Sequence, residues 1–140
     1  MKYLSHYIEE EQTRLFNDLG VFFAFSNKQF EEGLDKIKES GLLKGGEKVA
    51  RLPHGAFCPS KNADKFIEEH DKLVERGIEK DLEENGKKNI IWREFANHEC
   101  QILMDYSDAI AALADYPITK EEIESEWGAY FQNCIDNDYF

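Results

Sequence analysis

Residues 21–30 join a short apolar run to a strong helix start, and this junction constrains the fold more than any other part of the chain. Val21 to Phe25 predicts a short buried strand, because its β-propensity is high and no polar face alternates through it. Ser26 can cap a helix while Gln29 reaches back to the start of that helix, and Phe25 and Phe30 are spaced as a hydrophobic staple. A strand followed at once by a helix is therefore expected.

Apolar residues at helical spacing and glycine stops predict the other helices. They are expected over Tyr3–Leu19, Ser26–Gly41, about Lys61–Glu84 with Gly86 as the stop, Asn89–Cys100, a short segment from Ser107, and a last helix from a capping box of Thr119 and Glu122. Two short strands, Glu47–Leu52 and Ala56–Cys58, flank the turn Pro53-His54-Gly55 and predict a hairpin. Alternation from Cys100 to Tyr106 also predicts a strand of about five residues.

The fold class that follows is α+β, with about five helices around a small mixed or antiparallel sheet. We find no repeat, low-complexity stretch or Pro-rich linker, so residues 1–140 are expected to form a single acidic globular domain. Eighteen aromatic residues, ten of them Phe, give the chain enough apolar surface to build a core despite its 33% of charged residues.

The net charge of −12 excludes some partners. Direct nucleic-acid binding is not expected, because lysine and arginine must replace the counterions condensed on phosphates.

No apolar run approaches the roughly 20 residues of a membrane span, and the first residues lack the layout of a secretory signal, so a cytoplasmic location is expected. The widely spaced Cys58, Cys100 and Cys134 favour reduced thiols over a disulfide framework.

Three stretches together resemble a family of small uncharacterised proteins from gut bacteria and their phages and mobile elements. The similarity covers about Val21 to Leu113 and is carried by Phe22–Gly33, His70-Asp71-Lys72, and Phe95-Ala96-Asn97-His98-Glu99-Cys100 in front of Asp105 and Asp108-Ala109. Cys100 stands where that family typically has an aromatic residue, and Leu52–Phe57 stands in place of its glycine-rich hairpin. The resemblance implies an α+β domain in a mobile-element setting and no particular reaction.

Asn97, His98, Glu99 and Cys100 place four functional side chains within one turn, which could serve acid/base or thiol chemistry. His98 also continues the apolar series of Ile91, Phe95 and Ile102, so an imidazole that faces the core and is satisfied by a neighbour is the competing interpretation. These four residues are the candidate catalytic set of the alternative hypothesis, an enzyme or ligand-binding domain.

No metal or cofactor is expected. His54, Cys58, His98 and Cys100 could be drawn as a zinc site, but they lack the close ligand pairs that structural zinc sites use. The sequence also has no phosphate-binding loop, no Ser-His-Asp ordering and no His-Glu-x-x-His motif. The pattern favours a protein that is not an enzyme.

Residues 101–140 contain nine Asp and Glu against the single Lys120, a net charge of −8. We expect this region to bind a basic partner through acidic residues and an aromatic anchor of the last helix, namely Glu121, Glu122, Glu124, Glu126, Trp127, Asp136 and Asp138. The expected function is that of a non-enzymatic, anti-CRISPR-like inhibitor from a phage or mobile element, bound to a basic host defence protein that handles nucleic acid. Simple solubility remains the alternative explanation of the charge. A structural subunit of a larger assembly, joined through an apolar interface between copies, remains a third possible function.

Overall fold

A computed structural model describes residues 2–140 as an α+β fold, 71% helical, with a three-stranded antiparallel sheet. The helices are α1 (Leu4–Leu19), α2 (Asn27–Glu39), α3 (Ala63–Asn97), α4 (Cys100–Leu103), α5 (Ser107–Ala112) and α6 (Lys120–Asn137). The strands are β1 (Phe22–Phe23), β2 (Val49–Arg51) and β3 (Ala56–Pro59). The α+β class is confirmed, with six helices in residues 2–140 where about five were expected.

The described residues group into two compact units. The N-terminal unit comprises residues 4–77, and the C-terminal unit comprises residues 2–3 with 78–140. The division falls inside the sequence of α3, between Gly77 and Ile78. The single-domain expectation stays a prediction.

In the N-terminal unit the strand order is β1-β3-β2, with both pairings antiparallel. The predicted hairpin is confirmed, since Arg51 pairs with Phe57 and Ala50 with Cys58 across its turn. Leu52, Ala56 and Cys58 form a buried cluster against which the half-buried Phe66 packs. The hairpin thus supplies the apolar centre of this unit.

The start of α2 is capped much as the sequence predicts. The Ser26 hydroxyl accepts a hydrogen bond from the Gln29 amide at 3.2 Å, and the Gln29 side chain accepts one from the Phe25 amide at 2.7 Å. The return bond therefore reaches one residue further back than in the standard capping box. The helix start is confirmed.

The predicted burial of the strand before α2 is wrong. β1 has only two residues, and it lies at the edge of the sheet, so it has a strand neighbour on one side alone. Phe23 is 47% exposed and Phe25 is 77% exposed, although Ala24 between them is buried. Part of the apolar run therefore lies at the protein surface.

Helix α1 approaches α3 closely at Gly77. A Cβ atom at Gly77 would lie 2.5 Å from Cγ2 of Ile8 and 3.0 Å from Cδ1 of Leu4. The glycine that weakens the helical pattern at this position is therefore explained by packing, because a larger residue would push the two helices apart.

In the C-terminal unit, α3 is broken at Gly86, whose φ of 75° and ψ of 158° are not helical. Such angles are accessible essentially to glycine alone. The predicted end of a helix at Gly86 is confirmed, and a second helical stretch follows it up to Asn97.

The predicted strand from Cys100 to Tyr106 is wrong. Cys100–Leu103 forms the single turn α4, which is flanked by Glu99 and Met104 in left-handed conformation, with φ of 50° and 53°. The amide of Leu103 donates a hydrogen bond to the carbonyl of Glu99. The backbone of this segment is therefore paired within a helical turn and not with a neighbouring strand, as the alternating pattern had predicted. Residues 78–140 contain no strand with which such a segment could pair.

Helix α6 begins at the capping box that the sequence predicts. Thr119 accepts a hydrogen bond from the Glu122 amide at 3.1 Å, and the Glu122 carboxylate accepts one from the Thr119 amide at 3.2 Å. Ile118 and Ile123, the two residues of the predicted staple, are both buried. None of the helices within residues 2–140 is both long and apolar enough to cross a membrane.

Candidate functional site

The most buried polar group of the C-terminal unit is the carboxylate of Asp81, which is 0% exposed. Arg93 donates from Nη1 to Oδ1 of Asp81 at 2.9 Å, and Asn85 donates from Nδ2 to the same oxygen at 2.7 Å. The hydroxyl of Tyr116 donates to Oδ2. Both oxygens of a buried carboxylate are therefore satisfied, as burial of a charge requires.

The ionisation of these groups follows from their contacts. Burial alone would raise the pKa of Asp81, but the hydrogen bonds from Arg93, Tyr116 and Asn85 outweigh it, so the pKa lies below its ordinary value. Burial and the bond to Asp81 both raise the pKa of Tyr116. The pKa of Arg93 is also raised, because its bonds to Asp81 and Tyr116 outweigh the loss of hydration. Asp81 is thus ionised and Tyr116 neutral at pH 7.

Arg93 extends this network in two further directions. Its Nε donates to Glu94 at 3.0 Å, and its Nη1 donates to the carbonyl of Lys2 at 3.0 Å. Asp81 and Arg93 precede and follow the break at Gly86, so their bond holds the two stretches of helix at one angle. This arrangement is primarily structural.

Sequence reasoning did not single out Asp81, Arg93 or Tyr116. A charged residue within the apolar stripe formed by Ile78 and Leu82 is the signal that was present, because a charge on the buried face of a helix requires a partner. Arg93 can be that partner only because the helix bends at Gly86. The glycine predicts a break in the helix, but it does not predict the angle of the bend.

The structure spreads the candidate set Asn97, His98, Glu99 and Cys100 across different environments. Asn97 and Glu99 are exposed, the His98 side chain is 29% exposed, and Cys100 is fully buried. Burial, together with the negative charges of Asp108 and Asp105, raises the pKa of the Cys100 thiol, so the thiolate needed for nucleophilic attack is disfavoured. The four side chains therefore differ widely in their exposure to solvent.

His98 is the one member of the set with an unusual contact. Its Nε2 is inaccessible to solvent and has no hydrogen-bond partner within residues 2–140, yet it lies 3.5 Å from Oε2 of Glu94. Glu94 is a neighbouring carboxylate of the kind that the competing interpretation requires, although no hydrogen bond joins it to Nε2. Across residues 2–140, no three His, Cys, Asp or Glu side chains are grouped so that they could hold a metal ion.

The acidic residues of α6 divide into two sets. Glu122 and Glu126 are half-buried and contact α3: Glu122 lies 3.1 Å from Nζ of Lys87, and Glu126 accepts a hydrogen bond from the Trp92 indole at 3.0 Å. The bond to Lys87, the backbone bond of Thr119 and the lysine charge lower the pKa of Glu122. These two carboxylates fasten α6 to its own unit.

The second set points outward. Glu121, Glu124 and Asp136 are exposed, and their spacing places them on one side of α6 with Gly128 near the middle. We call these three carboxylates the acidic face. Glu124 lies 3.7 Å from the exposed Lys120 and Asp136 accepts from Gln132, contacts that leave both carboxylates at the surface. Asp138 ends the helix in left-handed conformation and is also exposed.

Trp127 is half-buried in an aromatic cluster rather than displayed as an anchor. Its ring centroid lies 5.1 Å from that of Tyr106, 5.3 Å from that of Phe95 and 5.7 Å from that of Phe131. Aromatic rings at these distances stabilise a core. Trp127 therefore holds α6 on the C-terminal unit.

Exposed apolar side chains lie elsewhere in the same unit. Gln101, at the start of α4, accepts from the Tyr130 hydroxyl at 3.0 Å and donates to the Tyr139 carbonyl at 3.0 Å, so α4 adjoins the end of α6. Six apolar side chains of these two segments are between 50% and 66% exposed, and we call them together the apolar face: Ile102, Leu103, Met104, Ile135, Tyr139 and Phe140. Its sequence signal was obscured because Ile102 to Met104 resembled a strand.

A small α+β protein with a three-stranded antiparallel sheet is the class that this architecture defines. The chain belongs to a family of unknown function, DUF7659, whose family model matches residues 4–133. That membership confirms the expectation of an uncharacterised family. No curated protein and no solved structure matches the chain.

Proposed function

We propose that the chain is a non-enzymatic protein-binding module that presents the acidic face and the apolar face to a basic partner. The partner in this proposal is a host defence protein that handles nucleic acid, and the chain acts as an anti-CRISPR-like inhibitor in the cytoplasm, encoded by a phage or mobile element. The observation that carries the proposal is the display of Glu121, Glu124 and Asp136 along one exposed side of α6.

The chemistry of the surface supports a basic rather than an acidic or neutral partner. Residues 101–140 carry a net charge of −8, and Lys120 is their only basic side chain. From Glu121 to Asp136 the face extends about 22 Å, at a helical rise of 1.5 Å per residue. A row of negative charge of this length attracts a positively charged groove and accelerates the encounter with it.

The apolar face supplies binding affinity, which charge alone does not provide. Charged rims set the rate of association and the choice of partner, whereas apolar groups buried at the centre contribute most of the affinity. Leu103 is 60% exposed and Met104 is 66% exposed on the single turn α4. Large apolar residues that are consecutive, exposed to solvent and flanked by acidic residues are typical of a protein-binding surface.

The contact set proposed from the structure differs from the one expected from sequence. Glu122, Glu126 and Trp127 are committed to Lys87, Trp92 and the aromatic cluster. In the proposal they position α6, and the contacts to the partner come from Glu121, Glu124, Asp136 and Asp138 with the apolar face. Inhibition follows from competition, because a groove filled by carboxylates no longer holds phosphates.

The experiment is a quantitative capture with the immobilised full chain from a lysate of the bacterial host, followed by binding of each recovered protein in purified form. We expect a partner of basic isoelectric point whose affinity falls steeply as salt rises, because screening weakens the attraction between charges. The triple variant Glu121→Gln/Glu124→Gln/Asp136→Asn should bind it about tenfold or more weakly.

A matched control removes three carboxylates from the N-terminal unit. Glu9, Glu10 and Glu32 are exposed, and their triple change to Gln alters the net charge by the same amount. It should leave the affinity within about twofold, because only general attraction is reduced. Equal weakening by both triple variants, or an affinity that does not depend on salt, would contradict the proposal.

A second candidate is a ligand-binding or catalytic site centred on Asn97, His98 and Glu99. The solvent-shielded Nε2 of His98, 3.5 Å from Glu94 and without a hydrogen-bond partner, is the observation that favours it. A ligand that donates or accepts at that atom should shift the imidazole resonances of His98 in an NMR titration and fail to bind His98→Phe. If His98→Phe still binds the basic partner at full affinity, the site at His98 is separate from the protein-binding function.

A further inference from the structure

A groove in the N-terminal unit lies between the start of α2 and the turn that joins β2 to β3. Its volume is about 730 Å³, which is within the range of small-molecule sites in proteins. The lining residues that matter for its chemistry are Phe25, Asn27, Phe30, Arg51, His54 and Phe57. It shares no residue with the acidic face or the apolar face.

The charge of this groove is opposite to that of the chain as a whole. None of its eleven lining residues is Asp or Glu, although the protein has 29 of them among 140 residues. Arg51 takes part in none of the ion pairs formed within residues 2–140. An arginine without a carboxylate partner, in a groove free of carboxylates, is suited to an anionic group.

The walls of the groove are aromatic. The rings of Phe30 and Phe57 meet edge to face with centroids 5.0 Å apart, and the Arg51 guanidinium lies 5.7 Å from the Phe57 centroid. Phe25 is 77% exposed, yet its ring is held against Gly55, where an added Cβ would lie only 2.4 Å from Cε1. A planar ring placed in the groove would cover these surfaces.

Polar groups complete the lining. Asn27 and His54 offer side-chain hydrogen-bonding groups, and His54 occupies the left-handed region with φ of 63° and ψ of 30°. A residue other than glycine in that region carries backbone strain that the surrounding turn must hold. The turn therefore keeps His54 at the groove.

We propose that this groove binds a small planar aromatic ligand that carries one anionic group. The ring lies against Phe25 and Phe57, and the anionic group receives hydrogen bonds from the guanidinium of Arg51. Two sources share this chemistry, a nucleoside monophosphate and an aryl carboxylate. The proposal does not depend on the protein-binding function, because that function rests on the C-terminal unit.

The test is a titration of the full chain followed by proton–nitrogen correlation NMR. The probes are AMP with adenosine as its uncharged counterpart, and benzoate with benzamide as its uncharged counterpart. We expect at least one anion to shift the amide signals of Asn27, Gly55 and Phe57 and to bind about tenfold more tightly than its counterpart, because a charge-assisted hydrogen bond is lost without the anion. Which anion binds identifies the source.

Two variants and a control assign the interaction. Arg51→Gln should weaken binding about tenfold, and Phe25→Ala several-fold, since both side chains are exposed and their removal leaves the fold intact. Arg14→Gln changes the charge equally at another exposed position of the same unit and should leave binding unchanged. Absence of shifts with both anions at millimolar concentration, shifts that map elsewhere, or equal effects of Arg51→Gln and Arg14→Gln would overturn the proposal.

Discussion

Arg93 bonds Asp81 at 2.9 Å across the break that Gly86 makes in helix α3. The pair is buried, and it is completed by Asn85 and Tyr116 on the carboxylate and by Glu94 on the guanidinium. A charge pair in this position resists separation, because the carboxylate of Asp81 would remain buried without a counter-charge.

The first prediction concerns the removal of one partner of this pair. Arg93→Met should lower the free energy of unfolding by about 3 to 5 kcal/mol, because the buried carboxylate of Asp81 loses its counter-charge. Asp81→Asn should lower it less, by about 1 to 3 kcal/mol, because Arg93 keeps its ion pair with Glu94. Urea denaturation followed by circular dichroism measures the change. In the double variant Asp81→Asn/Arg93→Met, the loss should fall short of the sum of the two single losses by about 1 kcal/mol or more.

A surface pair provides the comparison. Lys72 lies 3.2 Å from Glu68 on the exposed side of α3. Lys72→Met should change the free energy of unfolding by less than about 0.5 kcal/mol, because exposed pairs are well solvated when separated. If Arg93→Met were as mild as Lys72→Met, the buried pair would have no special structural role.

The second prediction follows from the directions of two pKa values. The pKa of Asp81 lies below its ordinary 3.8, so its ionised form stabilises the fold above that pH, and this stability is lost as the pH falls below it. The pKa of Tyr116 lies above its ordinary 10.0, so the corresponding stability is present below pH 10.0 and is lost as the pH rises further.

Thermal unfolding across the pH range should therefore separate two variants. The difference in stability between the wild type and Asp81→Asn should shrink as the pH falls below 3.8. The difference between the wild type and Tyr116→Phe should change above pH 10.0 and stay constant near neutrality. A constant difference over the whole range in both variants would show that neither group titrates differently in the folded state.

The third prediction contrasts two glycines within helices. Gly77→Ala should destabilise the protein by about 1 to 3 kcal/mol, because the new Cβ would lie 2.5 Å from Ile8. Gly128→Ala should stabilise it by up to about 1 kcal/mol, because nothing lies within 4 Å of an added Cβ and alanine favours the helix. Chemical denaturation of both variants measures the two signs, and a loss of stability in Gly128→Ala would contradict its open surroundings.

The fourth prediction concerns the thiols. Cys58, Cys100 and Cys134 are free and each is 0% exposed, and burial raises the pKa values of the Cys58 and Cys100 thiols. Ellman's reagent at neutral pH should therefore label essentially none of them in the native protein and all three in denaturant. Rapid labelling of Cys100 in the native protein would instead support the catalytic alternative.

Local signals predicted most of the helices because their causes are local. The cap at Ser26, the capping box of Thr119 and Glu122, and the break at Gly86 each depend on residues a few positions apart. The segment from Cys100 to Tyr106 was misassigned because an alternating pattern does not show whether a neighbouring strand exists. Phe25 was expected to be buried because an apolar run does not show that the strand ends at Phe23 and lies at the edge of the sheet.

The candidate sites were harder to predict, since they depend on which surfaces remain uncovered. The sequence identified the charge of α6 but not that Glu122 and Glu126 are used within the chain while Glu121 and Glu124 are displayed. The groove at Arg51 is lined by two segments that are distant in sequence, and neither contributes a carboxylate. A short sequence motif does not reveal such a combination.

Gly86 also decides whether Asp81 and Arg93 can meet. Along an unbroken helix these two residues would lie about 18 Å apart, because each residue advances a helix by about 1.5 Å. The break brings the guanidinium within 2.9 Å of the carboxylate, so an alanine at this position, where φ is 75°, would set its own preferred backbone against the buried ion pair.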